Sequence, residues 1–265
     1  MNSILRRLPL IAGGCMLLFI NAQVHATHAS PDAGDAPEGL NWTYQGENGP
    51  EHWGRLSERF ASCNTGQNQS PIEIQGARLE RLPNLSFSYR SSPLTIVNDG
   101  HTIRVVYDPG SYLILGSRRY ELRQFHFHTP SEHRIKGKQA DMVMHLVHQN
   151  RGGEIVEVAV PIRAGMRRNA MMERLLSYLP KQPGEREYYR NVGIKPIFLM
   201  PSDRSYYTYK GSMTEPPCSE NVTWILLKTP LEVSARDIER FRRILGQNNR
   251  PIQAINSRAV LTGRR

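Results

Sequence analysis

The chain has 265 residues, enough for one large domain with a substantial core. Its formal net charge is +10, but the basic residues are scattered, with only short clusters such as Arg167-Arg168 and Arg242-Arg243. No basic stripe interleaved with aromatics appears, which excludes nucleic acid as the main partner.

The first predicted element is a signal peptide over residues 1–26. Arg6-Arg7, an apolar run from about Leu8 to Ile20, and Val24-His25-Ala26 supply the charged, apolar and small-residue regions. The run is too short for a comfortable membrane span, so no membrane association is expected after cleavage behind Ala26. Cys15 does not end the run, because Met16-Leu17-Leu18-Phe19-Ile20 continues it; this argues against lipid attachment. Cleavage removes Arg6 and Arg7 and no acid, which lowers the formal charge to +8. Residues 27–40 are small, polar and rich in Pro and Gly, and read as a flexible leader. No second linker and no internal repeat follows, so residues 41–265 form a single domain.

Short alternating segments dominate that domain. Strands are expected at Leu85–Tyr89, Leu94–Asn98, Thr102–Tyr107, Tyr112–Leu115, Tyr120–His128, Met142–Gln149, Ile155–Ile162, Tyr206–Lys210 and Asn221–Leu227. Asn98-Asp99-Gly100, Asp108-Pro109-Gly110, Lys136-Gly137-Lys138 and Arg151-Gly152-Gly153 punctuate them with turn chemistry. Two segments read as helices, Arg168–Tyr178 and Ala235–Leu245. The second has Ser234 as N-cap, Ile238, Phe241 and Leu245 on one face, and Gly246 past its end.

Side chains on a strand alternate between faces. In Gln124-Phe125-His126-Phe127-His128 the two histidines share one face and the phenylalanines the other. In Met144-His145-Leu146-Val147-His148, His145 and Val147 share a face, with Met144, Leu146 and His148 opposite. If the two strands are neighbours, His126, His128 and His145 converge. Three neutral imidazoles favour zinc and leave it an open fourth position, the arrangement of a catalytic site.

Gln69-Ser-Pro-Ile72, Gln124-Phe-His-Phe-His128, Pro130-Ser-Glu-His133, His145-Leu-Val-His148 and Gly211-Ser-Met-Thr-Glu-Pro-Pro217 occur in this order. Together they resemble the alpha-class carbonic anhydrases of the exported bacterial type, from about Trp42 to Arg258. The resemblance implies a mainly β fold: one large, twisted, mostly antiparallel sheet of about ten strands with short surface helices. It implies zinc-dependent, reversible hydration of carbon dioxide to bicarbonate and a proton, by attack of a zinc-bound hydroxide. It also implies a periplasmic or secreted location, and it leaves a homodimer open.

Residue by residue, the resemblance assigns His126, His128 and His145 to the metal and Gln124 to the outer nitrogen of His126. Thr214 would accept the hydroxide's proton and pass a hydrogen bond to Glu132, whose acceptor-only carboxylate fixes that direction. His101 matches the proton shuttle, a role suited to an imidazole. Tyr44 matches a tyrosine of the water network. Val147, Met213, Val222 and Trp224 would form the apolar wall that receives carbon dioxide. Cys63 and Cys218 survive signal cleavage and match the family's disulfide positions; the closed loop is long enough for roughly 4–5 kcal/mol of chain-entropy stabilisation. His133 and His148 read as structural.

The chain departs from the family pattern at several positions. The glutamate that usually partners the third histidine is replaced by Val143. Arg104 stands in place of an asparagine of the water network, and Glu215 follows Thr214 where small residues are common. Glu157 falls at a usually apolar pocket position. It reads as a displaced surface glutamate or a one-residue error in its alignment with the family, with supply of the missing carboxylate as the alternative. Two competing functions are a catalytically weak or inactive relative serving as a binding protein, and a different zinc hydrolase such as an esterase.

Overall fold

The computed structural model describes residues 41–263. The expected signal peptide, the leader and Cys15 lie outside the described residues. Among those described, thirteen strands form one sheet, and a separate three-stranded sheet joins Glu73–Ile74, Arg134–Ile135 and Lys138–Gln139. The main path runs Arg186–Ile194, Ser92–Asn98, Ile103–Val106, Arg118–His128, Met142–Gln149, Ile155–Gly165, Glu220–Leu227, Tyr206–Ser212, Leu261–Gly263, Arg78–Glu80. Most pairings are antiparallel; Ile155–Gly165 is parallel to both Glu220–Leu227 and Leu231–Ser234.

Thirteen strands exceed the expected ten or so for a physical reason. Arg78–Glu80 and Leu261–Gly263 are three residues long, and Leu231–Ser234 four, too short to establish an alternation. Arg186–Ile194 is longer but almost wholly on the surface, so no apolar face marks it in the sequence.

The central strands are buried on both faces. Phe125, Phe127, Met144, Leu146, Val156 and Val158 point into the larger core, which Leu175, Ile238 and Phe241 of the helices close. Burying each such side chain contributes roughly 1.5–3 kcal/mol. Phe241 stands 4.7 Å from Phe127, ring centre to ring centre, and fixes the helix Ala235–Leu245 against the sheet. That helix begins where expected: the Ser234 hydroxyl accepts from the Asp237 N–H at 3.2 Å. The other helix is shorter than predicted, Ala170–Leu176. Asn169 caps its first turn by accepting from Met171 and Met172 N–H, while Arg168 is drawn out of the helix toward Glu173.

The opposite face carries a smaller apolar cluster that includes Val143, Ala159, Met213, Val222 and Trp224. His126, His128 and His145 are on this second face.

Candidate metal centre

Register brings the histidines together. The strands Arg118–His128 and Met142–Gln149 pair antiparallel, with His145 opposite His126 and Val143 opposite His128. Opposed residues share a face, so the three imidazoles meet. Their ring centres are 4.8–5.3 Å apart. One donor atom from each lies within 4.8 Å of the others, and all three residues are buried.

Two of the rings are held from behind. His126 Nδ1 lies 2.8 Å from Gln124 Oε1, and His128 Nδ1 lies 2.7 Å from the Asn248 carbonyl. Those oxygens accept, so each Nδ1 carries the proton and each Nε2 keeps its lone pair. His145 has no hydrogen-bond partner on either nitrogen; Val143, in its expected place, offers none. Burial is the first cause holding His126 and His145 well below the ordinary imidazole range, and neighbouring positive charge adds to it. His126 and His145 are therefore neutral donors. His128 Nε2 and both His145 nitrogens are buried without partners, and this orphaned set of nitrogen donors fits a divalent transition metal.

Glu132 closes one side. Its Oε1 accepts from Arg250 N–H at 2.9 Å. Its Oε2 stands 3.7 Å from His128 Nε2 and 3.8 Å from His145 Nδ1. Burial pushes this carboxyl up, partly offset by His128, by the Thr214 hydroxyl beside it and by the Arg250 N–H. Thr214 is buried, as are Val147, Met213, Val222 and Trp224. Trp224 packs its ring 4.9 Å from His145 and 4.7 Å from His133.

His101 is placed differently from the cluster. Its ring stacks on Trp42 at 3.7 Å and 6°, and its Nε2 donates to the Trp42 carbonyl at 2.8 Å. Nδ1 is then the basic nitrogen. Tyr44 donates to Glu215 Oε1 at 3.2 Å, and burial, then Glu215, raises its phenol well above the ordinary range. Arg104 pairs with Asp99 on the turn that carries His101. His133 and His148 are buried and bonded through Nε2 to the hydroxyls of Tyr209 and Tyr89 at 2.7 Å each.

Glu157 requires a correction. It is not on the surface. It pairs with Val147 and Trp224, is 1% exposed, and its Oε1 is 3.2 Å from His145 Nδ1. Burial, then the charges of Glu132 and Glu215, pushes its carboxyl well above the usual range.

Two contributors carry no motif in the sequence. Asn248 supports His128, and its side chain anchors Thr129 N–H, the His101 carbonyl and the Phe127 carbonyl. Arg250 is 1% exposed; its guanidinium donates to Gln69, Ser70 and Cys63. Cys63 and Cys218 form a disulfide with their Cα atoms 5.0 Å apart. It ties the Trp42–Trp53–Phe60 cluster to the loop that follows Thr214.

A family profile described as eukaryotic-type carbonic anhydrase matches residues 48–264. A carbonic anhydrase of Nostoc sp. is 39% identical over 227 residues, covering 84% of this chain and 86% of its own. The alpha-carbonic anhydrase of Thermovibrio ammonificans, solved with the inhibitor sulfanilamide, superposes with a TM-score of 0.80 at 41% identity, over 84% of this chain and 99% of that one. Dioscorin DB3L of Dioscorea polystachya is 31% identical over 245 residues, 88% of each chain.

Proposed function

Because the chain belongs to the eukaryotic-type, alpha-class carbonic anhydrase family, we propose that His126, His128 and His145 hold a zinc ion and that the residues around them divide the work of hydrating carbon dioxide. The protein is a carbonic anhydrase, and its reaction is the reversible conversion of carbon dioxide to bicarbonate and a proton. The observation that carries the zinc assignment is the buried three-nitrogen cluster with two of its outer nitrogens already committed.

Bound there, zinc supplies a Lewis acid that brings the ionisation of water into the neutral range, the behaviour for which carbonic anhydrases are themselves the reference case. The chain's own residues do the rest. Gln124 and the Asn248 carbonyl fix the tautomers of His126 and His128. Glu132, held by Arg250 N–H, accepts from the Thr214 hydroxyl, so Thr214 presents its own lone pair to the reacting water. Val147, Met213, Val222 and Trp224 offer carbon dioxide an apolar wall, which suffices for a molecule without a dipole. His101 takes the released proton on Nδ1 and passes it to buffer. Tyr44 and Glu215 border that route.

The inactive binding relative is the second reading. Loss of a metal histidine would favour it, and all three are in place. We further propose that residues 1–26 direct export to the periplasm or beyond, consistent with the disulfide. Among the described residues no helix is long and apolar enough to cross a membrane.

Zinc stoichiometry and stopped-flow carbon dioxide hydration test the assignment together. The wild type is expected to bind one zinc and turn over, and His145→Ala to lose most of both. Full zinc and full turnover in that variant would overturn the three-histidine site.

A further inference from the structure

Glu157 has no task in the chemistry described so far. Its strand, Ile155–Gly165, pairs it with Val147 on one side and Trp224 on the other, so its side chain shares the histidine face and interrupts the apolar wall. It is 1% exposed, and neither carboxylate oxygen has a hydrogen-bond partner among the described residues. A buried carboxylate in that state is costly and is ordinarily found only beside a cation. Its neighbour within ion-pair distance is His145.

The contact is on the inward nitrogen. His128 commits Nδ1 to the Asn248 carbonyl and so turns Nε2 inward. Glu132 Oε2 is 3.7 Å from that Nε2 and 3.8 Å from His145 Nδ1, which puts His145 Nδ1 on the same side. Glu157 Oε1 flanks this atom at 3.2 Å. A residue that only oriented the ring would stand at the outer nitrogen, as Gln124 and Asn248 do for their histidines. Two donors of one tetrahedral zinc, each about 2.0–2.2 Å from it, stand roughly 3.3–3.6 Å apart. The Glu157 Oε1–His145 Nδ1 separation of 3.2 Å is close to that size, and it is one of the three such separations a fourth ligand has to satisfy.

We propose that Glu157 is a fourth, displaceable protein ligand of the metal. This rests on the three histidines being the zinc ligands. They leave one position open, and the Glu157 carboxylate competes for it with water and with anions. The site would thus hold its metal more tightly than three histidines alone and resist anions that must displace the carboxylate.

The test compares wild type with Glu157→Val and Glu157→Gln, full-length and correctly oxidised. Zinc affinity is read by competition with a chromophoric chelator, the coordination sphere by the visible spectrum of the cobalt(II)-substituted proteins, and anion affinity by azide titration of the same forms. Both variants are expected to bind one zinc at least tenfold more weakly. Their cobalt spectra should differ from wild type, and azide should bind them at least tenfold more tightly. The glutamine variant keeps the side-chain volume, so it gives a reading even if valine perturbs folding. Zinc affinity within twofold of wild type in both variants, with superimposable cobalt spectra, would overturn the proposal while leaving the three-histidine site intact. A wild type that binds no zinc would instead overturn that site, and this proposal with it.

Discussion

Asn248 joins His101 to the Phe127–Thr129 segment from more than a hundred residues away in the sequence. Its carbonyl takes the His128 Nδ1 proton, its Oδ1 takes Thr129 N–H, and its Nδ2 donates to the carbonyls of His101 and Phe127. Asn248→Ala keeps the carbonyl but releases the backbone that aims it and strands buried groups. Zinc affinity is expected to fall about 10–100-fold and stability by roughly 1–3 kcal/mol, measured by chelator competition and urea midpoints. Unchanged zinc affinity would show that Asn248 does not position His128. His101 makes a different prediction, because it acts after the metal chemistry. His101→Ala should leave zinc bound, slow turnover in weak buffer by an order of magnitude or more, and recover in part with imidazole. A variant as fast as wild type in weak buffer would remove His101 from the proton route.

At the scale of single elements, the strand Tyr206–Ser212 shows how tightly the site is backed. A Cβ added at Gly211 would lie 2.2 Å from Ser70 Oγ and 2.8 Å from Trp224 Cδ1. The Trp224 ring packs on His145, so pressure at Gly211 reaches a metal ligand. Gly211→Ala is expected to cost about 1–3 kcal/mol and to weaken zinc retention; an unaltered thermal midpoint together with unaltered zinc affinity would contradict this. The same elements explain what the sequence made legible. The strand over His145 was readable to the residue, Met142–Gln149, because turns bound it and its apolar positions are continuous. His126, His128 and His145 were readable as a set because alternation fixes faces. Asn248 and Arg250 were not, since they act from an irregular segment through backbone atoms and long-range contacts that no spacing encodes. Glu157 was misread because strand pairing, not local pattern, decides that it faces Val147 and Trp224.

For the whole molecule, the two faces of the sheet divide labour: one packs the larger apolar core, and the other packs a smaller apolar cluster beside the three histidines. The larger core also packs against an imidazole, His148, bonded to the Tyr89 hydroxyl at 2.7 Å. On the opposite face His133 bonds Tyr209 in the same way. Burial holds both imidazoles down to about 3, against an ordinary 6.5. The direction of the consequence follows from proton counting. Between about pH 6.5 and pH 3 the unfolded chain protonates these rings and the folded chain does not, so stability is whole above that window and is lost as pH falls through it. Buried Glu132 and Glu157, whose carboxyls are pushed up, act in the opposite sense, so a bare stability profile mixes the two. A difference experiment isolates one ring. Unfolding free energies of wild type and His148→Gln, each from urea titrations at pH 7, 6, 5 and 4, are expected to fall less steeply in the variant, by a slope of up to one bound proton, about 1.4 kcal/mol per pH unit. Parallel profiles would mean that His148 takes up its proton in the folded protein as readily as in the unfolded chain, and that its burial against Tyr89 does not govern acid stability.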